Sequence, residues 1–217
     1  MKGIANFPLR TLGCAGIICL LGSTGALADV ILTGQSVTVA AGSSNNAVEI
    51  DLTNSGPTDI TVAAFSFGVQ ISDSDVSFTD VTTGTTSTYI FAGNSLFGPD
   101  LTGPTSGQSV IASDVFATPN KGAVLASGTT VGLGRISFDV AAGAASGSFP
   151  VNFLAFPTSS LSDPTPLDIH IDTLSPGGIT ILPTSVPEPS SLIPLLGCAL
   201  LAVGTRGRCR KDRRRTS

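Results

Sequence analysis

ITVAAFSFGVQI, running from Ile60 to Ile71, decides how the chain folds. Ile60, Val62 and Ala64 keep one phase of a two-residue alternation, and Phe65, Phe67, Val69 and Ile71 keep the other. Side chains alternate between faces along a strand, so this period predicts strand rather than helix. The change of phase at Ala64-Phe65 predicts either a β-bulge or a strand that crosses from one sheet to another.

The same period recurs on both sides. Upstream, Val37 and Val39 alternate, as do Val48, Ile50 and Leu52, which leaves Glu49, Asp51 and Thr53 expected to face water. Asn54-Ser55-Gly56-Pro57 marks a turn. Downstream, strands are expected at Val76 to Val81, Ser87 to Phe91, Val110 to Ala117, Gly134 to Val140, Ser148 to Phe156, Leu167 to Ile171 and Ile179 to Leu182. In Gly134 to Val140 the inward residues are Ile136, Phe138 and Val140, with Arg135, Ser137 and Asp139 outward. Asn94 to Gly107 is the longest turn-rich stretch and reads as an ordered loop. Roughly nine short strands, punctuated by Gly, Pro, Asn and Ser, predict an all-β chain with a single β-sandwich. The ten phenylalanines between Phe65 and Phe156 are read as its core.

Charge divides the 217 residues sharply. From Asp29 to Val186 thirteen carboxylates stand against Lys121 and Arg135, a net charge of −11. An acidic body argues against nucleic acid as a partner, because phosphate demands a basic footprint. All four cysteines, Cys14, Cys19, Cys198 and Cys209, lie near the two ends, so the body has no disulfide and no thiolate site.

Both ends read as targeting material. Lys2 and Arg10 precede an apolar run from Leu12 to Leu21, and Ala26-Leu27-Ala28 supplies small residues at a cleavage site. Residues 1–28 are therefore read as a signal peptide handled by the secretion machinery and cleaved after Ala28. Residues 29–183 form the sandwich domain, and residues 184–217 a separate tail. In that tail Pro187, Glu188 and Pro189 precede an apolar run from Leu192 to Val203. Arg206, Arg208, Arg210, Lys211, Arg213, Arg214 and Arg215 follow it, in the manner of a stop-transfer segment. Ser190 to Thr205, as a helix, spans about 24 Å, short of a hydrocarbon core of roughly 30 Å. Such a helix is suited to transient rather than lasting membrane residence.

This order of motifs resembles the PEP-CTERM sorting signal of bacteria that make extracellular polysaccharide. The resemblance implies processing by an exosortase-type enzyme at Pro187, Glu188 and Pro189, and delivery to the cell surface or a polysaccharide matrix. The body resembles the cohesin-like sandwiches of exported bacterial proteins. That likeness rests on SVTVAAG with NNAVEIDLTNSG and ITVAAFSFGVQIS, and on LGRISFDVAAGAASGSFPVNF.

Chemistry-bearing groups are sparse. Asp73, Asp75 and Asp80 are a candidate weak calcium site, calcium being a hard cation that takes oxygen ligands. Asp168, His170 and Asp172 would share one face of a strand, but its rise sets the outer pair about 13.6 Å apart, too far for one ion. The sole histidine and the lack of a G-x-S-x-G elbow leave a serine hydrolase unsupported. No carboxylate pair is singled out for a glycosidase, and the body has no tryptophan to stack a sugar. The reading is a non-enzymatic exported surface protein associated with exopolysaccharide, with no catalytic residue and no required cofactor. A calcium-dependent binding or adhesion module is the alternative, and a hydrolase comes third.

Overall fold

The computed structural model describes residues 29–98 and 105–183, so the segment read as a signal peptide, the Ala26 and Ala28 expected at its cleavage site and the whole tail lie outside it. All regular structure among the described residues is β. In chain order the strands are β1 (Val30–Gly34), β2 (Ser36–Ala40), β3 (Asn46–Asn54), β4 (Ile60–Val62), β5 (Ala64–Ile71), β6 (Val76–Thr82), β7 (Thr105–Ser106) and β8 (Ser109–Val115). There follow β9 (Ala123–Leu125), β10 (Thr129–Val140), β11 (Gly147–Phe153), β12 (Ser160–Ser162), β13 (Asp168–Ile169), β14 (Thr173–Ser175) and β15 (Gly177–Leu182).

They build a sandwich. One sheet has the order β14-β1-β3-β10-β6. The other runs β13-β12-β5-β11-β15-β2, with β8 on the far side of β5 and β7 beyond it, and β4 and β9 form a small separate ribbon. Alternation along each strand supplies the core. Val48, Ile50 and Leu52 on β3 pack with Ile136 and Phe138 on β10, and across the gap lie Phe65, Phe67, Val69 and Ile71 of β5. Phe65 stacks on Phe67 with ring centroids 6.1 Å apart and meets Phe91 at 5.5 Å. Burying each such side chain contributes roughly 1.5 to 3 kcal/mol.

The phase change at Ala64-Phe65 is a crossing. β4 pairs with β9, the chain steps over Ala63, and β5 enters the large sheet beside β8. A second crossing occurs at Gln35, where β1 leaves one sheet and β2 joins the other. There the chain passes β15 so closely that a Cβ on Gly177 would sit 2.3 Å from the Gln35 carbonyl oxygen. These breaks split the expected strands into shorter pieces.

Three expectations are corrected. Ser87 to Phe91 is not a strand: the segment coils through turns, with Ala92 N–H donating to the Tyr89 carbonyl and Asn94 N–H to the Phe91 carbonyl, and keeps one bridge from Tyr89 to Gly132. Leu167 to Ile171 yields only the two residues of β13, because the chain then crosses to pair β14 with β1. Glu49 and Asp51 do not face water, being 4% and 8% exposed. The segment carrying Thr86 covers Glu49: its N–H and hydroxyl both donate to that carboxylate, Arg135 pairs with it at 2.9 Å, and Asp51 accepts from Gln35 Nε2 at 2.9 Å.

Candidate binding face

The two outer faces of the sandwich differ in charge. Outward positions follow from the register, since directly paired residues share a face. On β3, β10 and β6 the outer face carries Glu49, Asp51, Arg135, Asp139 and Asp80. On the other sheet the outward residues are Ser36, Thr38 and Ala40 of β2, then Gly178, Thr180 and Leu182 of β15. Ser148, Pro150 and Asn152 of β11 continue them, and Thr180 and Ser148 share a hydrogen bond across this surface. Ala64, Ser66, Gly68 and Gln70 of β5 and Ser109, Ile111, Ser113 and Val115 of β8 complete the face. These five strands present no charged side chain outward, in a body of net charge −11.

Apolar groups stand on this face at one end. β11 and β12 both pair with the same side of β5, and residues 154–159 between them arch over its outer surface. The arch is fastened down. Leu154 N–H donates to the Gly68 carbonyl at 2.8 Å, Ser66 Oγ to the Thr158 carbonyl at 2.8 Å, and Gly68 N–H to Ser159 Oγ at 3.3 Å. Only glycine fits beneath it, because a Cβ at Gly68 would lie 2.4 Å from Thr158 Cγ2. The arch carries Phe156, which is 68% exposed. Beside it, Asp168, Ser162, Ala64 and Val115 form one row across four strands. Leu96 extends that row, its N–H donating to the Val115 carbonyl at 2.9 Å. Leu96 is 56% exposed and Val115 37%.

A buried carboxylate holds Leu96 in place. Asp114 is fully buried and accepts from the Tyr89 and Ser95 hydroxyls and from its neighbour's amide, Val115 N–H, at 2.7 Å. Phe97 N–H adds a longer contact at 3.4 Å. The turn from Tyr89 to Gly98 is thereby tied to β8. Burial, with the Asp114 carboxylate beside it, pushes the Tyr89 hydroxyl far above its ordinary range, so it stays a donor.

A cleft of about 400 Å³ adjoins the arch, lined by Phe156, Ser159, Leu161, Ile169, His170 and Leu174 among others. His170 is exposed at its rim, with Nε2 3.8 Å from Asp172 Oδ1. The other oxygen of Asp172 accepts from Val30 N–H at 2.8 Å and clamps β14 to the start of β1, a structural role. The chain reaches β13 through a tight turn at Asp163, whose carboxylate is held below its usual range by Leu167 N–H and by Thr165.

The calcium candidates are separated. Asp73 Oδ1 accepts Asp75 N–H at 2.8 Å within one turn, while Asp80 lies five residues along β6, about 16 Å away at the strand rise. Among the described residues no group of three or more His, Cys, Asp and Glu side chains is placed to hold a metal ion. The expectation that every body phenylalanine is core also fails for two: Phe97 is 44% exposed and Phe156 68%. Alternation places Val115 outward, but nothing local in the sequence distinguishes Phe156 from a strand residue of β11.

No protein-family model matches the chain, and no curated protein matches it in sequence. Solved structures do match, and those described here are cohesins. CaCohA2 from Clostridium acetobutylicum is 20% identical with a TM-score of 0.54, covering 74% of this chain and 95% of that one. Coh-OlpA of Clostridium thermocellum, solved in complex with Doc918, is 14% identical with a TM-score of 0.55, covering 71% and 99%. A non-cellulosomal cohesin from the archaeon Archaeoglobus fulgidus is 14% identical with a TM-score of 0.52, covering 73% and 94%. The chain has the cohesin-like β-sandwich fold.

Proposed function

We propose that this chain is a non-enzymatic module that binds another protein through the uncharged outer face of the β2-β15-β11-β5-β8 sheet. One observation carries the reading: five adjacent strands with no charged side chain outward, flanked by exposed Leu96, Val115 and Phe156, on a body of net charge −11. Interface centres are depleted of charge and enriched in aromatic and apolar groups, because desolvating an unpaired charge costs more than contact returns. The cohesin likeness supports the same reading, since Coh-OlpA was solved in a cohesin–dockerin complex with Doc918 and CaCohA2 in complex with CaDoc0917. Acid-base chemistry finds little support in the sole histidine, which is exposed beside a carboxylate that fastens a strand.

The ends of the chain supply the address. In this reading the signal peptide exports it, the tail holds it transiently in the inner membrane, and an exosortase-type enzyme processes it at Pro187-Glu188-Pro189. It then resides at the cell surface or in an exopolysaccharide matrix, where its partner is found. Calcium is an optional ligand at Asp73 and Asp75.

The test is retention. Residues 29–183, immobilised and offered the surface-protein fraction of the source cells, should retain a partner that Leu96→Asp and Val115→Asp fail to retain. Retention by both charged variants would place binding elsewhere. For the address, alanines at Pro187, Glu188 and Pro189 should leave full-length protein in the inner membrane. Surface protein of wild-type mass from that variant would refute the sorting role.

A further inference from the structure

Strand β2 ends its sheet. β15 pairs with one side of it in parallel register, and among the described residues no strand pairs with the other. Alternate residues of an end strand turn N–H and C=O groups outward, a row of open donors and acceptors. Proteins ordinarily blunt such an edge with lysine, proline, a bulge or extreme shortness. β2 uses none of these devices: its five residues are Ser36-Val37-Thr38-Val39-Ala40. Three other end strands are protected. On β6, Phe78 N–H donates to the Gly107 carbonyl and Val76 C=O accepts from Gln108 Nε2, while β13 and β14 are two and three residues long.

We propose that β2 docks β2 of a second copy of this chain, antiparallel about a two-fold axis at Thr38. That register sets Val37 opposite Val39 and Ser36 opposite Ala40, so the strand is complementary to itself, as a two-fold interface requires. Two bodies of net charge −11 repel, and contact is cheapest where carboxylates are absent; β2 and the adjacent β15 carry none. Ser36, Thr38 and Ala40 are exposed and would run the uncharged face across both copies, while the half-buried Val37 and Val39 already pack on the core. The chain's own continuation is a poor rival for this edge, because Pro183, Pro187 and Pro189 lack the N–H a ladder needs. The inference is independent of the partner-binding reading.

Residues 29–183 contain both sheets and their shared core, and CaCohA2, matched over 95% of its length, has been solved by itself in solution, so we take this stretch as the unit that folds. In sedimentation equilibrium it should pass from monomer to dimer with rising concentration, and more readily with added salt. Thr38→Lys and Thr38→Glu should each be monomeric, since like charges face each other across the axis, and an equal mixture of the two should dimerise again. That rescue separates lost pairing from lost folding. Paired Cα atoms in such a register lie about 4.5 to 5.5 Å apart, within the Cα range of disulfides, and the stretch has no cysteine of its own. Thr38→Cys should therefore form a covalent dimer on oxidation while the exposed control Ser146→Cys does not. A wild-type chain that stays monomeric with no Thr38→Cys cross-link overturns the proposal, as does a dimer that survives both charge variants.

Discussion

The hydroxyl of Tyr89 donates to the carboxylate of Asp114, and both residues are buried in the sandwich. Burial, and after it the carboxylate, raises the tyrosine above its ordinary value of 10.0 in the folded chain. The sign follows. Tyr89 binds its proton more tightly folded than unfolded, so its stability contribution is complete below about pH 10 and is lost as pH rises beyond that. Tyr89 is the sole tyrosine and there is no tryptophan, so tyrosinate absorbance reports this one group. In alkaline titration of residues 29–183 the tyrosinate signal should appear together with loss of the β circular dichroism. Ionisation at the ordinary value with the fold intact would show the hydroxyl free of Asp114. Tyr89→Phe should cost about 1.5 to 3 kcal/mol, the range for a hydrogen bond to a charged group.

The crossing of the first strand depends on Gly177. An added Cβ would meet the Gln35 carbonyl oxygen at 2.3 Å and Gly34 backbone atoms near 3 Å, and backbone cannot rotate aside. Gly177→Ala should destabilise by about 1 to 3 kcal/mol, the usual cost of overpacking. A thermal melt within error of wild type would mean the two segments sit further apart than described.

Phenylalanines divide by position. Phe67 is fully buried, so Phe67→Ala should cost about 3 to 5 kcal/mol. Phe156 is 68% exposed, and Phe156→Ala should change stability by no more than about 0.5 kcal/mol while weakening partner retention. Equal losses of stability in the two variants would return Phe156 to the core.

Much of this fold is legible in sequence because the core strands alternate strictly. Ile60 to Ile71 announces its crossing in the phase change, and Val48, Ile50 and Leu52 announce β3. Alternation sees one strand at a time, however. Glu49 and Asp51 look solvent-facing until Thr86 and Gln35, both distant in sequence, bond to their carboxylates. Asp114 reads as an ordinary acid until Tyr89 and Ser95 reach it. The proposed binding face is hidden for the same reason: its lack of charge emerges only when outward residues of five separate strands are laid side by side. Phe156 reads as core because the arch that lifts it out is held by Gly68, some ninety residues earlier.

Calcium gives a further check. A specific site at Asp73 and Asp75 should raise the melting temperature of residues 29–183 saturably, and the rise should vanish when both become Asn. A small rise that survives in that variant and fades with NaCl would be screening of the −11 charge.

The most direct measurement is a calorimetric titration of residues 29–183 with the purified partner, compared with the same titration of Leu96→Asp, Val115→Asp and Phe156→Asp. Wild type should bind with a Kd of about 1 μM or tighter, near −8 kcal/mol. Each charged variant should melt as wild type does and bind at least about tenfold more weakly, a loss of roughly 1.4 kcal/mol. Unchanged affinity in all three variants would contradict the assignment of the uncharged face as the binding surface.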